Sequence, residues 1–413
     1  MRTVLAPHQV VSSCRGCGAN DLEVVVSFGE TPLADRLVKP RFDEPEYIAP
    51  LTLALCRACG LCQILETVEP RVLFGPDYPY FSSVSAGLLK HFRQSAEDLI
   101  RKRKLTSGHL VIEAASNDGY MLDIFLRNGI GVLGIDPADG PVQEARKKGV
   151  ETVHDFFGKH IASDLRKKGK LADVFLANNV LAHVADTNDF IAGIAELLSE
   201  DGVAVIEFPY LRDLVEHGEF DTIYHQHLLY LSLSPLKRLF QSHGLHLTDA
   251  ERTSIHGGSL RIYVERKPGE SDRLKDLLKE EASMGLSHAA YFDDFKTLIE
   301  TTRQNLRNEI EACKKAGKKV AGYGAAAKAT TLLHVCGLGK DELEFVADKS
   351  QWKHGLEMPV NRLPILPPSE IYAQGIDCVA ILAWNFAGEI IQEHKAFEEK
   401  GGRFIVPISA VTE

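Results

Sequence analysis

The chain has 413 residues, a formal net charge of -10, 45% hydrophobic and 25% charged residues. This is a globular balance in a chain too long for one ordinary core, so two or three domains are expected. The acidic total and the lack of a Lys/Arg block argue against a nucleic-acid partner, and no run is long enough to span a membrane. The opening MRTVLAPHQVV has no apolar signal core, which with reduced thiols fits a cytoplasmic protein.

The first feature along the chain is a repeated pair, Cys14-Arg-Gly-Cys17 and Cys56-Arg-Ala-Cys59. Two residues between thiols let one tight turn aim both sulfurs at a point, and two such turns make a closed tetrahedral thiolate site for zinc. Such a site has no open position for water, so the expected metal is structural. The alternative is two unrelated thiol pairs. Cys62 is expected beside the site as a spectator, and Cys313, Cys336 and Cys378 as small buried residues. Strand-like runs LEVVVSF and PLTLALC flank a turn-rich stretch, and the prolines of residues 75–80 should end this module.

A helix is predicted over Ala86 to Lys104. It is followed by an alternation of apolar strands and amphipathic helices, with strands in HLVIEAAS, GVLGIDP, ADVFLANNV and GVAVIEFPY. This alternation predicts a parallel sheet covered on both faces. A helical spacer is predicted over Asp272 to Ala316, and a second alternation follows in KKVAGYGAAAK, LEFVADKS, CVAILAWN and GGRFIVPIS.

The first alternation opens with Val111-Ile112-Glu113-Ala114-Ala115-Ser116-Asn117-Asp118-Gly119, a strand running into a turn of small residues. Ligands of open parallel sheets bind outside the carboxyl ends of strands, and Asp136 at the next strand end can accept from both ribose hydroxyls. Dinucleotides and S-adenosylmethionine share this pattern. The acid Glu113 and the missing glycine run favour S-adenosylmethionine, which has no pyrophosphate to cradle.

Taken together, the paired cysteines, PLADRL, Tyr78-Pro-Tyr80-Phe81-Ser82-Ser83, IEAASNDGYML, Asn178-Asn179-Val180-Leu181-Ala182-His183, FDTIYHQHLLYLSL, HGGSLR and GYGAAAKATTLL with VADKS carry a resemblance over essentially the whole chain. The chain resembles the sugar C-methyltransferases that act on nucleotide-linked 4-keto deoxysugars. The resemblance implies an α/β fold: a zinc-binding domain (1–75), a Rossmann-like methyltransferase domain binding S-adenosylmethionine (76–270), a helical spacer (271–316) and a Rossmann-like substrate domain (317–413). The implied reaction is methyl transfer to carbon, at C-3, through an enolate raised by a base. Transfer to a sugar oxygen or nitrogen, and a non-catalytic zinc scaffold, are the alternatives.

The family motif Tyr-x-Glu-His falls on Tyr224, His225, Gln226 and His227, so the resemblance implies His227 as base. Gln226 replaces the acid and cannot raise the basicity of an imidazole by charge. Tyr224, His183 and Tyr78 are candidates to orient the ketosugar or meet the developing oxyanion. The expected cofactor contacts are Glu113, Ala115, Ser116, Asn117, Asp118, Gly119, Asp136, Pro137, Asp155, Phe156 and Asn178. Ala115 departs from the glycine common at such turns, a small matter if its backbone is ordinary. In the last unit, Gly322-Tyr323-Gly324-Ala325-Ala326-Ala327-Lys328 opens a helix and suits a diphosphate. Gly322, Tyr323, Lys328, Tyr80, Ser82 and His225 are the expected substrate contacts, with Asp348 meeting a ribose or capping a turn. The expected partner is a nucleotide-sugar alone, with the chain a monomer.

Overall fold

The computed structural model describes residues 3–40, 45–73 and 86–408. Three larger sheets organise them, with a short ribbon of His8–Val10 against Glu66–Val68.

In the N-terminal sheet, Leu22–Pro32 and Glu46–Cys56 pair antiparallel. Leu51, Leu53 and Leu55 alternate inward along the second strand and are fully buried, the period of a half-buried strand. Cys62–Ile64 adds to Glu46–Cys56, and Leu229–Tyr230 adds to Cys62–Ile64. The last strand lies just beyond the YHQH motif, so the zinc-side sheet borrows an edge from a segment far along the chain.

The central sheet has chain order 3-2-1-4-5-7-6. Its strands are Leu110–Ala114, Gly131–Asp136, Thr152–His154, Ala172–Asn178, Leu198–Pro209, His246–Thr253 and Ser259–Glu265. The first five run parallel, Ser259–Glu265 pairs antiparallel with Leu198–Pro209, and His246–Thr253 pairs antiparallel with Ser259–Glu265 in turn. The sequence reading missed His246–Thr253, whose HLTDAERT carries too many charges to read as a strand until Ser259–Glu265 covers it. Strand order reverses between Leu110–Ala114 and Ala172–Asn178, the place where such sheets take ligands.

The predicted spacer is two helices, Asp272–Met284 and Asp293–Lys315. Ser271 caps the first by accepting from the Leu274 amide, and Gly285 ends it at φ 72°, a left-handed stop open to glycine at low cost. Beyond lies an all-parallel sheet of order 3-2-1-4-5, built from Val320–Tyr323, Val346–Ala347, Ile365–Leu366, Cys378–Ile381 and Arg403–Ile405.

Candidate active site

The four cysteine sulfurs come together. Cys14 and Cys59 are 3.6 Å apart, as are Cys17 and Cys56, and all four sulfurs lie within 4.8 Å of one another. Zinc–sulfur bonds of about 2.3 Å at tetrahedral angles need sulfurs about 3.8 Å apart, so the donor set fits zinc. Each turn closes alike, with the Gly18 amide on the Cys14 carbonyl and the Gly60 amide on the Cys56 carbonyl. Cys62 is fully buried beside the site.

At the reversal of the central sheet, Glu113 is 1% exposed and accepts from Asn178 Nδ2 at 3.1 Å through Oε1. Burial pushes its carboxyl up to about 8, since nothing charged offsets the loss of water. Among the described residues Glu113 Oε2, Ser116 Oγ, Asp118 Oδ1 and Asn179 Oδ1 have no hydrogen-bond partner. Buried polar atoms are rarely left so, and a cluster of them marks a place built for a ligand. The backbone agrees. Ala115, Asn117 and Asn179 sit at φ 54°, 50° and 53°, a strained region for side-chain-bearing residues that concentrates at binding sites. The condition under which Ala115 would be a small departure from glycine is therefore not met.

Asp136 Oδ2 accepts from the Asn117 amide and Oδ1 from the Ala138 amide, both at 2.8 Å. Each oxygen keeps a further lone pair. Asp118 binds the Lys148 ammonium at 2.9 Å, while Gly119 turns the chain at φ 71°. Pro137 offers its carbonyl to His154 at 2.9 Å. Asp155 and Phe156 follow the strand Thr152–His154, which pairs with Gly131–Asp136, and Phe156 is 64% exposed.

The YHQH motif closes on itself. Because a carbonyl only accepts, His227 Nδ1 must donate to Thr222 O at 2.9 Å; Nε2 then carries the lone pair and meets the Tyr224 hydroxyl at 2.9 Å. The His183 ring stands edge-on to His227 with centroids 4.8 Å apart. Burial lowers His183 to about 4, so it stays neutral near pH 7. Gln226 is buried with Nε2 unpartnered among the described residues. His225 turns the other way: fully buried, it donates from Nε2 to the Pro50 carbonyl at 2.9 Å, inside the N-terminal sheet. The expectation of His225 as a substrate contact gives way to an anchoring position. Tyr78, Tyr80 and Ser82 lie outside the described residues.

The C-terminal turn is more closed than its sequence suggests. Gly322 lies inside the sheet, where an added Cβ would meet Leu382 at 2.9 Å. The Tyr323 hydroxyl points to His394 at 3.0 Å and the residue is 3% exposed, so neither faces a cleft as expected. Asp348 accepts from the Ala325 and Ser350 amides at 2.8 Å, the turn-capping arrangement. Lys328 behaves differently. Its ammonium sits 4.0 Å from the centre of the Trp384 ring, and burial lowers its pKa despite Asp221 and Glu219 nearby.

Comparison with known proteins gives matches along the chain. Residues 14–74 match the family described as "Putative zinc binding domain", residues 89–250 "Methyltransferase domain", and residues 254–409 "C-methyltransferase C-terminal domain". C-methyltransferase NovU of Streptomyces niveus is 36% identical over 414 residues, covering 99% of this chain and 97% of that protein. The chain belongs to the C-methyltransferase family. This C-methyltransferase is thus an S-adenosylmethionine-dependent enzyme with a zinc-binding module. A ubiquinone biosynthesis O-methyltransferase of Azorhizobium caulinodans is 27% identical over 29% of this chain and 46% of its own. The magnesium protoporphyrin IX methyltransferase of Synechocystis PCC 6803, solved with S-adenosylmethionine, is 16% identical at TM-score 0.34, covering 44% of this chain and 80% of that one.

The C-methyltransferase also holds groups that the sequence reading passed over. Asp221 is fully buried and accepts from the Trp384 indole at 2.7 Å; burial raises its carboxyl to about 7 against the pull of Lys328. Glu207, fully buried at a strand end next to Asn178, holds His91 at 2.8 Å and Arg261 Nε at 2.9 Å. Burial works to raise Glu207, yet these two partners keep it below the ordinary carboxylate range. The available signal was an acid interrupting an apolar run, in GVAVIEFP, and one just upstream of the motif, in FDTIYHQH.

Proposed function

We propose that the enzyme methylates the carbon beside the ketone of a nucleotide-linked 4-keto deoxysugar, most simply C-3, with His227 as the base. The supporting observation is the hydrogen-bonded state of that imidazole. With Nδ1 held by the Thr222 carbonyl, Nε2 is left as the proton acceptor, and its partner is a phenol. A carbon acid beside a ketone needs such a base together with a donor for the enolate oxygen.

Bound S-adenosylmethionine supplies the electrophilic methyl group. The residues of the chain do the rest. Asn178 and Glu113 meet across the sheet reversal where the cofactor is held, and Asp136 offers its remaining lone pairs to ribose hydroxyls. Tyr224 lies on the path to Nε2, so its oxygen takes the substrate proton as its own proton passes to the imidazole. His183, kept neutral by burial, stands edge-on to His227 and is placed to orient the ketosugar beside the base. Lys328, a poorly solvated cation, receives the diphosphate at the far end of the substrate. The cytoplasm remains the compartment we infer, from the unpaired thiols.

The deciding experiment incubates the enzyme with cofactor and a panel of nucleotide ketosugars, followed by mass spectrometry of products. In deuterated buffer with S-adenosylhomocysteine, wild type should exchange the ring proton. His227→Asn should lose kcat by about a hundredfold to ten-thousandfold with cofactor affinity nearly intact, and Tyr224→Phe should approach it if the phenol relays. A product methylated on oxygen or nitrogen, or wild-type turnover by His227→Asn, would overturn the reading.

A further inference from the structure

The zinc module touches the segments that carry both imidazoles, and it does so at its metal-binding turns. Asn188, at the start of helix Thr187–Leu197, donates from Nδ2 to the Arg15 and Gly16 carbonyls at 3.0 and 2.9 Å, the two residues between Cys14 and Cys17. His243 holds the other end of that amide by donating to Asn188 Oδ1 at 3.0 Å. Arg238 reaches the Ala58 carbonyl, between Cys56 and Cys59, at 3.2 Å.

A backbone ladder continues from there to the imidazoles. The Leu228 amide donates to the Ala182 carbonyl at 2.7 Å, and the Leu228 carbonyl accepts from the Ile64 amide at 3.0 Å. Ala182 precedes His183 and Leu228 follows His227, so one hydrogen bond sets the spacing of the two rings. Ile64 ends the strand Cys62–Ile64, which starts three residues after Cys59 and pairs with Leu229–Tyr230. His225 pins the same motif to Pro50, in the strand that ends at Cys56. The first metal-binding turn is thus tied to the protein five residues past His183, and the strands that lead into and out of the second are tied to His225 and Leu228, on either side of His227.

We infer that the zinc module is a positioning element for catalysis: metal-held turns, acting through Asn188, His225 and the strand Cys62–Ile64, fix the His183–His227 ring pair, so zinc loss lowers turnover while the cofactor site keeps its affinity. The cofactor turn at Glu113–Gly119 makes no hydrogen bond to the cysteine turns among the described residues. A misplacement of about 1 Å at reacting groups can lower rate by about a hundredfold without any lost contact to substrate. The inference rests on His227 as the base.

The experiment compares full-length wild type, Asn188→Ala, His225→Ala, His225→Gln and His227→Asn, each with its zinc content measured. Asn188→Ala and His225→Ala should keep zinc, bind S-adenosylhomocysteine within about twofold of wild type, and lose about tenfold in kcat with KM little changed. His225→Gln, which can still donate to Pro50, should recover most of the rate. Graded chelation at a temperature where circular dichroism stays native should lower kcat in step with zinc content and move the His227 imidazole resonances, a readout independent of turnover. Wild-type kcat in the zinc-loaded Asn188→Ala and His225→Ala enzymes, or unmoved His227 resonances after zinc removal, would overturn the coupling. If His227→Asn alone retains turnover, the base assignment fails while the resonance test still judges the positioning. Should His225→Ala not fold, the half-buried Asn188→Ala decides.

Discussion

The two parallel sheets present nearly the same turn twice, and the differences between them separate a ligand site from a filled corner. In the central sheet Asp136 accepts from the Asn117 and Ala138 amides; in the C-terminal sheet Asp348 accepts from the Ala325 and Ser350 amides, all four at 2.8 Å. The first residue past each leading strand has a left-handed backbone, Ala115 at 54° and Gly324 at 98°. Yet the central turn keeps three buried oxygens unpartnered among the described residues, with a fourth on Asn179 past the neighbouring strand. At the C-terminal turn Lys353 lies 3.7 Å from Asp348 and donates to the Ala325 carbonyl at 2.8 Å. Its strain falls on a glycine, which tolerates it. Unmet polarity and strain on residues with side chains mark the ligand site better than the presence of an acid at a strand end.

The largest expected effect tests the filled corner. A Cβ on Gly324 would meet the Ala383 Cβ at 2.5 Å and its amide nitrogen at 3.1 Å, at a φ that resists side chains. Gly324→Ala should therefore lower stability by about 3 kcal/mol in denaturant unfolding, with S-adenosylhomocysteine affinity unchanged. A loss of that affinity would mean the two turns are not independent. Next, Asp136→Ala should weaken S-adenosylhomocysteine by about 1.5 to 3 kcal/mol by calorimetry, whereas Asp348→Ala should leave it alone. Equal losses would erase the distinction.

A third test uses pH. Burial raises Glu113 to about 8, well above its value in an unfolded chain, so between those limits the folded protein holds a proton that the unfolded chain releases. Stability of the cofactor-free enzyme should then fall as pH rises through that window, by at most about 1.4 kcal/mol per pH unit from this group, and level off above about 8. Glu113→Gln should show the shallower decline, and identical slopes would place Glu113 in contact with water.

Much of this was legible in the sequence. The cysteine spacing found the four metal-site sulfurs, and apolar runs found the longer parallel strands, because both signals are local; the short strands Thr152–His154 and Ile365–Leu366 carried too few apolar residues to be read. The closure of the C-terminal turn was hidden, since Lys353 arrives from 28 residues past Ala325 and nothing near GYGAAAK announces it. His225 was equally illegible: its partner Pro50 is 175 residues away, and a motif gives no clue which of its imidazoles turns inward. The spacer read as a long helical stretch because its composition stays charged and helical on both sides of Gly285, and the left-handed φ there with the short turn Ala289–Phe292 divides it in two.

The smallest expected effect bears on whether strain itself belongs to the cofactor turn. Ala115 holds φ 54°, where a Cβ costs roughly 1–2 kcal/mol. Its counterpart Gly324 avoids that cost. Ala115→Gly should remove the strain but add freedom to the unfolded chain, worth about 0.5–1 kcal/mol in the opposite direction. The net is a gain in stability of about 0.5–1 kcal/mol in denaturant unfolding. If the strain serves to hold Ser116, Asn117 and Asp118 in place before the cofactor arrives, the same substitution should slightly weaken S-adenosylhomocysteine as it stabilises the protein. A destabilised Ala115→Gly would show that the neighbours of the turn impose no strain on the alanine, and the contrast between the two turns would then rest on their unpartnered oxygens alone.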